Sequence, residues 1–441
     1  MNLWLMQGID RDTFRGIFGD HWDEFKGCHS SYDTQYYDDV VQKMLGCGRE
    51  EGGYCEYLCT KCGRDRRRIA FTCKSCFCLS CAKGYTDDFV VQVGQVLQPG
   101  LRYRHMVLTV AEQLRIHFYL NRQEGKLLSE LMRSGYECLE DVVSTVVRQK
   151  VKIGVIVVVQ THGRSGHHNP HLHIIMTSGG INEKTGKWVD LGYFPYEVIH
   201  KKWQYHLLKM LKEVVPTDEM KSLINELYKK YPRGFVAHVT KGKVPEQCRG
   251  LAKYLAKYVA SPPIAISRIL SYTGNEVTYW YKDHQTKAKE VVTVDVLTFI
   301  GRMVQHILPK GFQRIRYYGL QATKTLKKWV KAIKEGLWRI GRIIKGVYEV
   351  VKCKSYRERY QGMSGRDPLV CRYCGCEMDL WRVWHPKYGT IYDEWEKIKA
   401  GKYERAVESK DTATGEGGYS LWPPAGGIQL PLFPMWLRNM G

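Results

Sequence analysis

Two histidines, His171 and His173, stand two positions apart in HLHIIMTSGG (171–180), a segment whose apolar residues and final Gly-Gly are typical of a β-strand. Side chains alternate faces along a strand, so we expect both imidazoles on one face, where they could share a divalent cation. The alternative is a pair of histidines on a half-solvated strand face. Leu172 and Ile174 fit the opposite side, which would face a core.

A third ligand should come from the preceding strand, VKIGVIVVVQTHG (151–163). Few residues join the two strands, which favours antiparallel pairing. Gln160 lies near the end of the first strand and is the candidate ligand, although an ordinary polar strand end is an equal alternative. His162, His167 and His168 are competing candidates.

Tyr254 and Tyr258 lie four positions apart in GLAKYLAKYVA, a helical pattern that places both phenols on one face. Lys253 and Lys257 flank them and could contact phosphates. This spacing is common in a chain with 29 tyrosines, and two tyrosines packed on a core are the alternative. The position of the pair on a basic helix after the histidine strand favours a role as nucleophiles.

These groups together indicate phosphoryl transfer on DNA. A phenol with a pKa of about 10 is a poor nucleophile at neutral pH, and a cation on a non-bridging phosphate oxygen would make phosphorus more electrophilic. Attack by tyrosine would leave a phosphotyrosine and a free 3′-hydroxyl. The new linkage keeps the energy of the broken bond, which agrees with the absence of a GxxxxGK[ST] motif from the sequence.

Cysteines provide the strongest metal signal, because four CxxC pairs occur in one chain. The most natural four-thiolate zinc set is Cys59, Cys62, Cys78 and Cys81, and the thiols left for a second zinc are Cys47, Cys55, Cys73 and Cys76. The later set Cys371, Cys374 and Cys376 lacks an obvious fourth ligand, for which His385 and Cys353 are candidates. The basic insert GRDRRR (63–68) suits a finger laid on DNA, and a purely structural module is the alternative.

Composition bounds these interpretations. The 441 residues carry a formal net charge of +22, which favours an anionic polymer as partner through counterion release. No apolar run reaches the length of a membrane span, and the first residues do not form a signal-peptide pattern, so we expect a cytoplasmic, nucleoid-associated protein without a membrane partner. Cysteines in that compartment are metal ligands more often than disulfides.

Strand and helix patterns alternate through the centre of the chain, which predicts an α+β fold around a central antiparallel sheet with flanking helices. The strand patterns lie at 104–110, 151–163, 171–180, 234–242, 277–283 and 314–319, and the helical patterns lie at 113–150, 196–215, 219–230 and 247–260. The expected domains are a helical lead with a zinc-binding domain (1–90), a nuclease domain (100–320), a basic helical segment (321–360), and a small zinc-ribbon-like module with a tail (361–441).

At this point the chain resembles a known family, the two-tyrosine HUH transposases of bacterial insertion sequences that move by a rolling-circle route (the insertion-sequence-91 type and its common-region relatives). The resemblance covers roughly residues 40–320. It is carried in order by YLCTKCG, FTCKSCFCLSCAK, QTHGRSGHHNPHLHIIMTSGG, YFPYEVIHKKWQYHLLKMLK, GLAKYLAKYVASPPIAISRI, VTYWYKD and HILPKGFQRIRYYG.

The resemblance implies an N-terminal zinc-binding domain with structural Zn²⁺ and a nuclease domain that uses Mg²⁺ or Mn²⁺. His171 and His173 would match the HUH pair, Gln160 the third ligand, and Tyr254 and Tyr258 the two catalytic tyrosines. Such an enzyme would nick and join single-stranded DNA at element ends through a 5′-phosphotyrosine. Its partners would be single-stranded DNA, element-end hairpins or target DNA, with a second copy of the chain as a further candidate.

The chain departs from the family at Cys76 and Leu79, where an arginine and a proline are usual, and the extra thiol leaves the choice of zinc ligands open. A plasmid-type replication initiator or relaxase with the same chemistry is one alternative function. A zinc-finger DNA-binding protein without catalysis is another. The high positive charge disfavours a hydrolase of small molecules.

Overall fold

The computed structural model describes residues 11–81, 89–94, 96–98, 100–192, 195–239, 248–259, 262–283, 286–322, 324, 329–331, 333, 335 and 355–400. The chain divides into two compact units, residues 1–393 and 394–441. The described part of the second unit contains the helix α10 (Glu394–Lys399). Among the described helices, none combines the length and the apolar character needed to cross a membrane.

Helices and strands alternate along the first unit. Its helices include α1 (Arg11–Cys28), α2 (Gln35–Leu45), α3 (Arg115–Leu120), α4 (Lys126–Val147), α5 (Tyr196–Val214), α6 (Asp218–Lys230), α7 (Cys248–Val259), α8 (Val296–Val304) and α9 (Tyr356–Ser364). Its strands include β1 (Tyr54–Leu58), β2 (Arg66–Ala70), β3 (Tyr103–Thr109), β4 (Val151–His162), β5 (His168–Asn182), β6 (Trp188–Asp190), β7 (Ala237–Val239), β8 (Ile269–Tyr272), β9 (Glu276–Lys282), β10 (Lys289–Asp295), β11 (Ile315–Gly319), β12 (Asp379–His385) and β13 (Gly389–Asp393).

The central sheet has the strand order β11-β4-β5-β3-β7, with β6 added beside β5. Each pairing in it is antiparallel, so the predicted α+β class with a central antiparallel sheet is confirmed. The strand predicted at 171–180 begins earlier than expected. His168 pairs with His162 across the hairpin, and β5 therefore begins at His168.

One face of this sheet forms the main core. Leu172, Ile174 and Met176 of β5 are fully buried and belong to the same apolar cluster as the buried face of α4. Gly135 of α4 permits this packing, because a Cβ there would lie 2.5 Å from Cδ1 of Leu172. The helix therefore approaches the strand more closely than a side chain would allow.

The other face of the sheet is covered by α7. Leu251, Ala252 and Ala256 of this helix are buried against Ile156 of β4 and Ile175 of β5. Since β4 and β5 contribute apolar side chains to both faces, they are buried on both sides.

A second core joins distant parts of the chain. Phe18 and Phe25 of α1 pack in one apolar cluster with Tyr279 of β9 and Phe299 of α8, beside the three-stranded sheet β10-β9-β8. The sequence patterns did not identify β8 and β10, which are short or largely exposed strands. The first helices thus share a core with residues after 260.

A third sheet has the order β13-β12-β1-β2 and also joins distant segments. Tyr54 of β1 pairs with Trp384 of β12, and their rings stack at 5.7 Å. The small module expected at 361–441 is therefore no separate sheet, because its strands extend the N-terminal hairpin. Most of the basic helix expected within 321–360, Cys353 and the tail after 400 lie outside the described residues.

We predict that Leu172→Ala lowers the free energy of unfolding by about 2–5 kcal/mol, since it leaves a cavity beneath α4. The matched control is Leu120→Ala, because Leu120 is 65% exposed and its loss should change stability by less than about 0.5 kcal/mol. Chemical denaturation followed by circular dichroism measures both. Equal effects of the two substitutions would contradict this assignment of the core face.

Candidate active site

Three polar side chains converge at one end of the β4–β5 hairpin. The register places Gln160 directly opposite His171 and Val158 opposite His173. The Oε1 atom of Gln160 lies 3.0 Å from Nε2 of His171 and 3.1 Å from Nε2 of His173. Strand alternation therefore brings two imidazole nitrogens and one amide oxygen to one point, as in a divalent-metal site.

The hydrogen bonds around His171 indicate which nitrogen faces that point as an acceptor. Its Nδ1 lies 2.7 Å from the carbonyl oxygen of Asn169, which can only accept, so Nδ1 carries the proton and donates. The lone pair of Nε2 then faces the amide oxygen of Gln160. Two acceptors held at this distance fit a cation between them, with the backbone bond fixing the ring.

Burial keeps these imidazoles neutral, as metal ligands must be. It lowers the pKa of His173 to about 2, with further lowering by His171, His105 and His162. Burial also lowers the pKa of His171, and the nearby positive charge of Arg115 lowers it further. Both rings are therefore neutral at neutral pH and carry one proton each.

A further histidine, His105 of β3, connects this point to the tyrosine helix. It is 2% exposed, and its Nε2 lies 3.1 Å from Nδ1 of His173. Its Nδ1 lies 2.8 Å from the hydroxyl oxygen of Tyr254. His105 therefore contacts both His173 and Tyr254 and links the two side chains.

The second tyrosine lies one turn further along α7, but the side chain of Tyr258 lies outside the described residues, as does that of Lys257. Lys253 is exposed beside Tyr254. Tyr254 itself is half-buried and packs against the apolar cluster beneath α7, which fixes its direction.

The competing histidines have other contacts. The rings of His162 and His168 lie 5.5 and 6.1 Å from the ring of His306, which follows α8. His167 forms a hydrogen bond with Ser165 at 2.9 Å. His306 is buried and donates through Nε2 to the carbonyl oxygen of Gly166 at 2.9 Å, so it fastens the hairpin loop.

Sequence reasoning missed two residues of this site. His105 lies on a strand that pairs with β5, and no spacing relates it to the histidine pair. Arg115 begins α3, and its charge reaches both His171 and His168. Its guanidinium is suited to contact a phosphate. A search for polar residues on strands next to the histidine strand could have found His105.

The cysteines form two groups that correct the sets expected from the sequence. In each group, the four sulfur atoms lie within 4.8 Å of one another. The first group is Cys47, Cys73, Cys78 and Cys81, and the second is Cys59, Cys62, Cys371 and Cys374. Four thiolates suit tetrahedral zinc and support structural Zn²⁺. The zinc set expected from the sequence combined cysteines from both groups. Closeness in sequence does not show which cysteine turns lie together in the fold.

Two expected zinc ligands belong to neither group. Cys55 is buried in β1, and burial raises its pKa to about 11, so it is a neutral core thiol. Cys76 lies beside Tyr36, Pro263 and Phe312 in a surface cavity. Cys376 and His385, the other candidates near the second group, are also outside it.

The basic insert is engaged within the protein. Glu56, which is fully buried, pairs with Arg66 at 2.6 Å and with Arg68 at 2.7 Å. Arg67 pairs with the buried Asp65 at 2.7 Å. These arginines therefore stabilise the hairpin, and the expectation that the insert lies on DNA receives no support from their contacts.

Two family models match different parts of the chain. A family described as "Putative transposase" matches residues 154–328, and one described as "Transposase zinc-binding domain" matches residues 17–110. The transposase for insertion sequence element IS801 of Pseudomonas savastanoi pv. phaseolicola is 27% identical over 77% of this chain and 82% of its own length. The putative transposase y4qJ of Sinorhizobium fredii is 26% identical over 81% and 92%. No solved structure matches the chain.

We predict that His171→Ala reduces Mn²⁺ binding by at least about tenfold, because one of three convergent ligands is lost. Isothermal titration calorimetry on protein with its zinc retained measures the affinity. His167→Ala is the matched control, since that histidine lies in the adjacent loop and bonds Ser165 instead. Equal losses in both variants, or none in either, would contradict the site.

Proposed function

Because the chain is a transposase of the insertion-sequence-91 type with an N-terminal zinc-binding domain, we propose that it nicks and joins single-stranded DNA through a 5′-phosphotyrosine on Tyr254. A transposase of this kind is an endonuclease and strand transferase that acts on DNA. The proposal adds the nucleophile, the Mg²⁺ or Mn²⁺ ion, and rolling-circle movement with cleavage at element ends.

The observation that supports the proposal is the continuous line of contacts from the ligand atoms to the phenol. Gln160 and His171 face one point with His173, and His105 links His173 to Tyr254 through contacts of 3.1 and 2.8 Å. A DNA-binding protein without catalysis has no need for a phenol beside a buried, neutral imidazole cluster.

The reaction balances without a further reactant. The oxygen of Tyr254 bonds to phosphorus as the bond to the 3′-oxygen breaks, and the phenol proton ends on the released 3′-hydroxyl. The cation held by Gln160, His171 and His173 would withdraw charge from a non-bridging phosphate oxygen. Attack by a new 3′-hydroxyl on the phosphotyrosine reverses the step and joins two strands.

His105 has a defined part in this step. If Nε2 of His173 is a ligand, its proton lies on Nδ1 and is donated to Nε2 of His105. The proton of neutral His105 then lies on Nδ1 and points to the oxygen of Tyr254 at 2.8 Å. A donor in this position would stabilise the negative charge that develops on the phenol oxygen, and it would aim that oxygen.

The second tyrosine follows from the helix geometry. Tyr258 lies one turn beyond Tyr254 on α7. We propose that it accepts the second strand end. Arg115 beside His171 and the exposed Lys253 would contact phosphates on either side of the cut.

We predict that Tyr254→Phe reduces formation of the covalent adduct by at least about a hundredfold, because the nucleophilic oxygen is lost. The substrate is an element-end oligonucleotide with a fluorophore at its 3′ end, which stays on the protein after a 5′-phosphotyrosine forms. A denaturing gel then shows a fluorescent protein band.

Tyr205→Phe is the control for this experiment, since Tyr205 lies on α5 and is 49% exposed. It should form the adduct as the parent does. Oligonucleotides from plasmid origins, run in parallel, separate a transposase from a replication initiator. Wild-type adduct levels in the Tyr254→Phe/Tyr258→Phe double variant would falsify the proposed nucleophiles.

We further predict that His105→Ala slows adduct formation by about 10²–10³-fold at pH 7, the usual effect of removing one donor to a developing charge. The defect should shrink as the pH approaches the pKa of a free phenol, because ionisation then needs less help. Mn²⁺ affinity, measured by calorimetry, should change less than in His171→Ala. A defect of constant size at all pH values would oppose this role.

A further inference from the structure

We propose that Cys59, Cys62, Cys371 and Cys374 bind one structural zinc ion that fastens a C-terminal segment to the N-terminal zinc-binding region. Half of this ligand set lies beyond residues 17–110, where the zinc-binding family match ends. The site is therefore distinct from a zinc finger formed by the N-terminal cysteines alone. It is also independent of the proposed nuclease chemistry.

The sulfur atoms have the separations of a zinc tetrahedron. Cys59 lies 3.4 Å from Cys374 and 3.5 Å from Cys62, and Cys62 lies 3.6 Å from Cys371. Zinc–sulfur bonds of about 2.3 Å give tetrahedral edges of about 3.8 Å, whereas a disulfide brings sulfurs to about 2.05 Å. All four cysteines are free thiols at contact distance, as ligands of one ion would be.

The two cysteine pairs lie on two turns that have the same backbone geometry. Each has the sequence Cys-x-x-Cys-Gly, and the glycine N–H donates to the carbonyl of the first cysteine, from Gly63 at 2.8 Å and from Gly375 at 3.1 Å. Both glycines adopt positive φ, 66° and 72°, which a side chain would disfavour. Two equivalent turns that face each other present four thiolates around one centre.

The strands that flank the turns hold them in register. β1 precedes the first turn and pairs with β12, which follows the second turn, from Tyr54–Trp384 to Leu58–Asp379. The buried carboxylate of Asp65 accepts from the backbone N–H of Arg372 at 2.8 Å. Arg67 donates to the carbonyl oxygen of Val370 at 2.9 Å. These contacts attach the C-terminal segment that carries the second turn to the hairpin formed by β1 and β2.

Little apolar surface supports this junction. Its buried cluster comprises Cys59, Cys371 and Met378, with Tyr57 and Cys62 packed at the edge. A core of this size does not normally hold a fold, and small domains of this kind rely on metal. The ion would also close a loop of 309 positions between Cys62 and Cys371, which makes the cross-link thermodynamically effective.

Differential alkylation of the intact, zinc-loaded chain tests the site without any substitution. Cys374 and Cys28 are both exposed, so iodoacetamide reaches either thiol. We expect Cys374 to react at least about tenfold more slowly than Cys28, because a zinc-bound thiolate is held by the ion. Chelation should make Cys374, Cys371, Cys59 and Cys62 reactive together. Equal rates for Cys374 and Cys28 in zinc-loaded protein would overturn the proposal.

Zinc content then identifies the shared ligand set. The parent should bind two ions, one for each cysteine group, and Cys371→Ser/Cys374→Ser should bind one. Cys59→Ser/Cys62→Ser should also bind one, and the variant with all four substitutions should still bind one, because both turns serve the same ion. Retention of two ions without Cys371 and Cys374, or loss of a further ion in the four-fold variant, would overturn it.

The control for zinc content is Cys376→Ser, which removes the next thiol of the same segment and should leave two ions bound. Loss of an ion in this variant would reject the ligand set. If a paired substitution unfolds the chain and releases both ions, the alkylation pattern of the parent still decides, since it requires no substitution.

Discussion

The antiparallel pairing of β4 with β5 is the constraint on which the candidate active site depends. Leu172 and Ile174 are fully buried on one face, and each contributes about 1.5–3 kcal/mol through burial. A slip of one residue would move these side chains from the α4 face to the α7 face and would turn the imidazoles toward α4. The hydrophobic core therefore fixes the face on which His171 and His173 meet Gln160.

Sequence reasoning could predict features that depend on local periodicity. The spacing of His171 and His173, and that of Tyr254 and Tyr258, sets a shared face wherever a strand or a helix forms. His105 has no such signal, because its position beside His173 arises from the pairing of β3 with β5, which are separated by the whole of α4 and β4. Contacts of this kind follow from topology and not from spacing.

The cysteines show the same limit more clearly. A CxxC turn predicts that two thiols point to one metal, and both groups do contain a CxxC pair. Which turns share an ion depends on how the chain ends meet, and β1 meets β12 across more than 300 positions of sequence. The arginines at 66–68 also have partners that the sequence does not reveal. Their charge indicated DNA, but the buried Glu56 and Asp65 pair with them.

The first cysteine group and the candidate active site are joined by continuous packing. Cys47, Cys78 and Cys81 belong to the apolar cluster that contains α1 and α8. His306, just after α8, donates to the carbonyl oxygen of Gly166, and Tyr279 donates to that of Ser165 at 3.0 Å. The loop they hold joins β4 to β5, whose facing ends carry Gln160 and His171. Packing and hydrogen bonds therefore connect the core that contains the first cysteine group to the hairpin that positions Gln160 and His171.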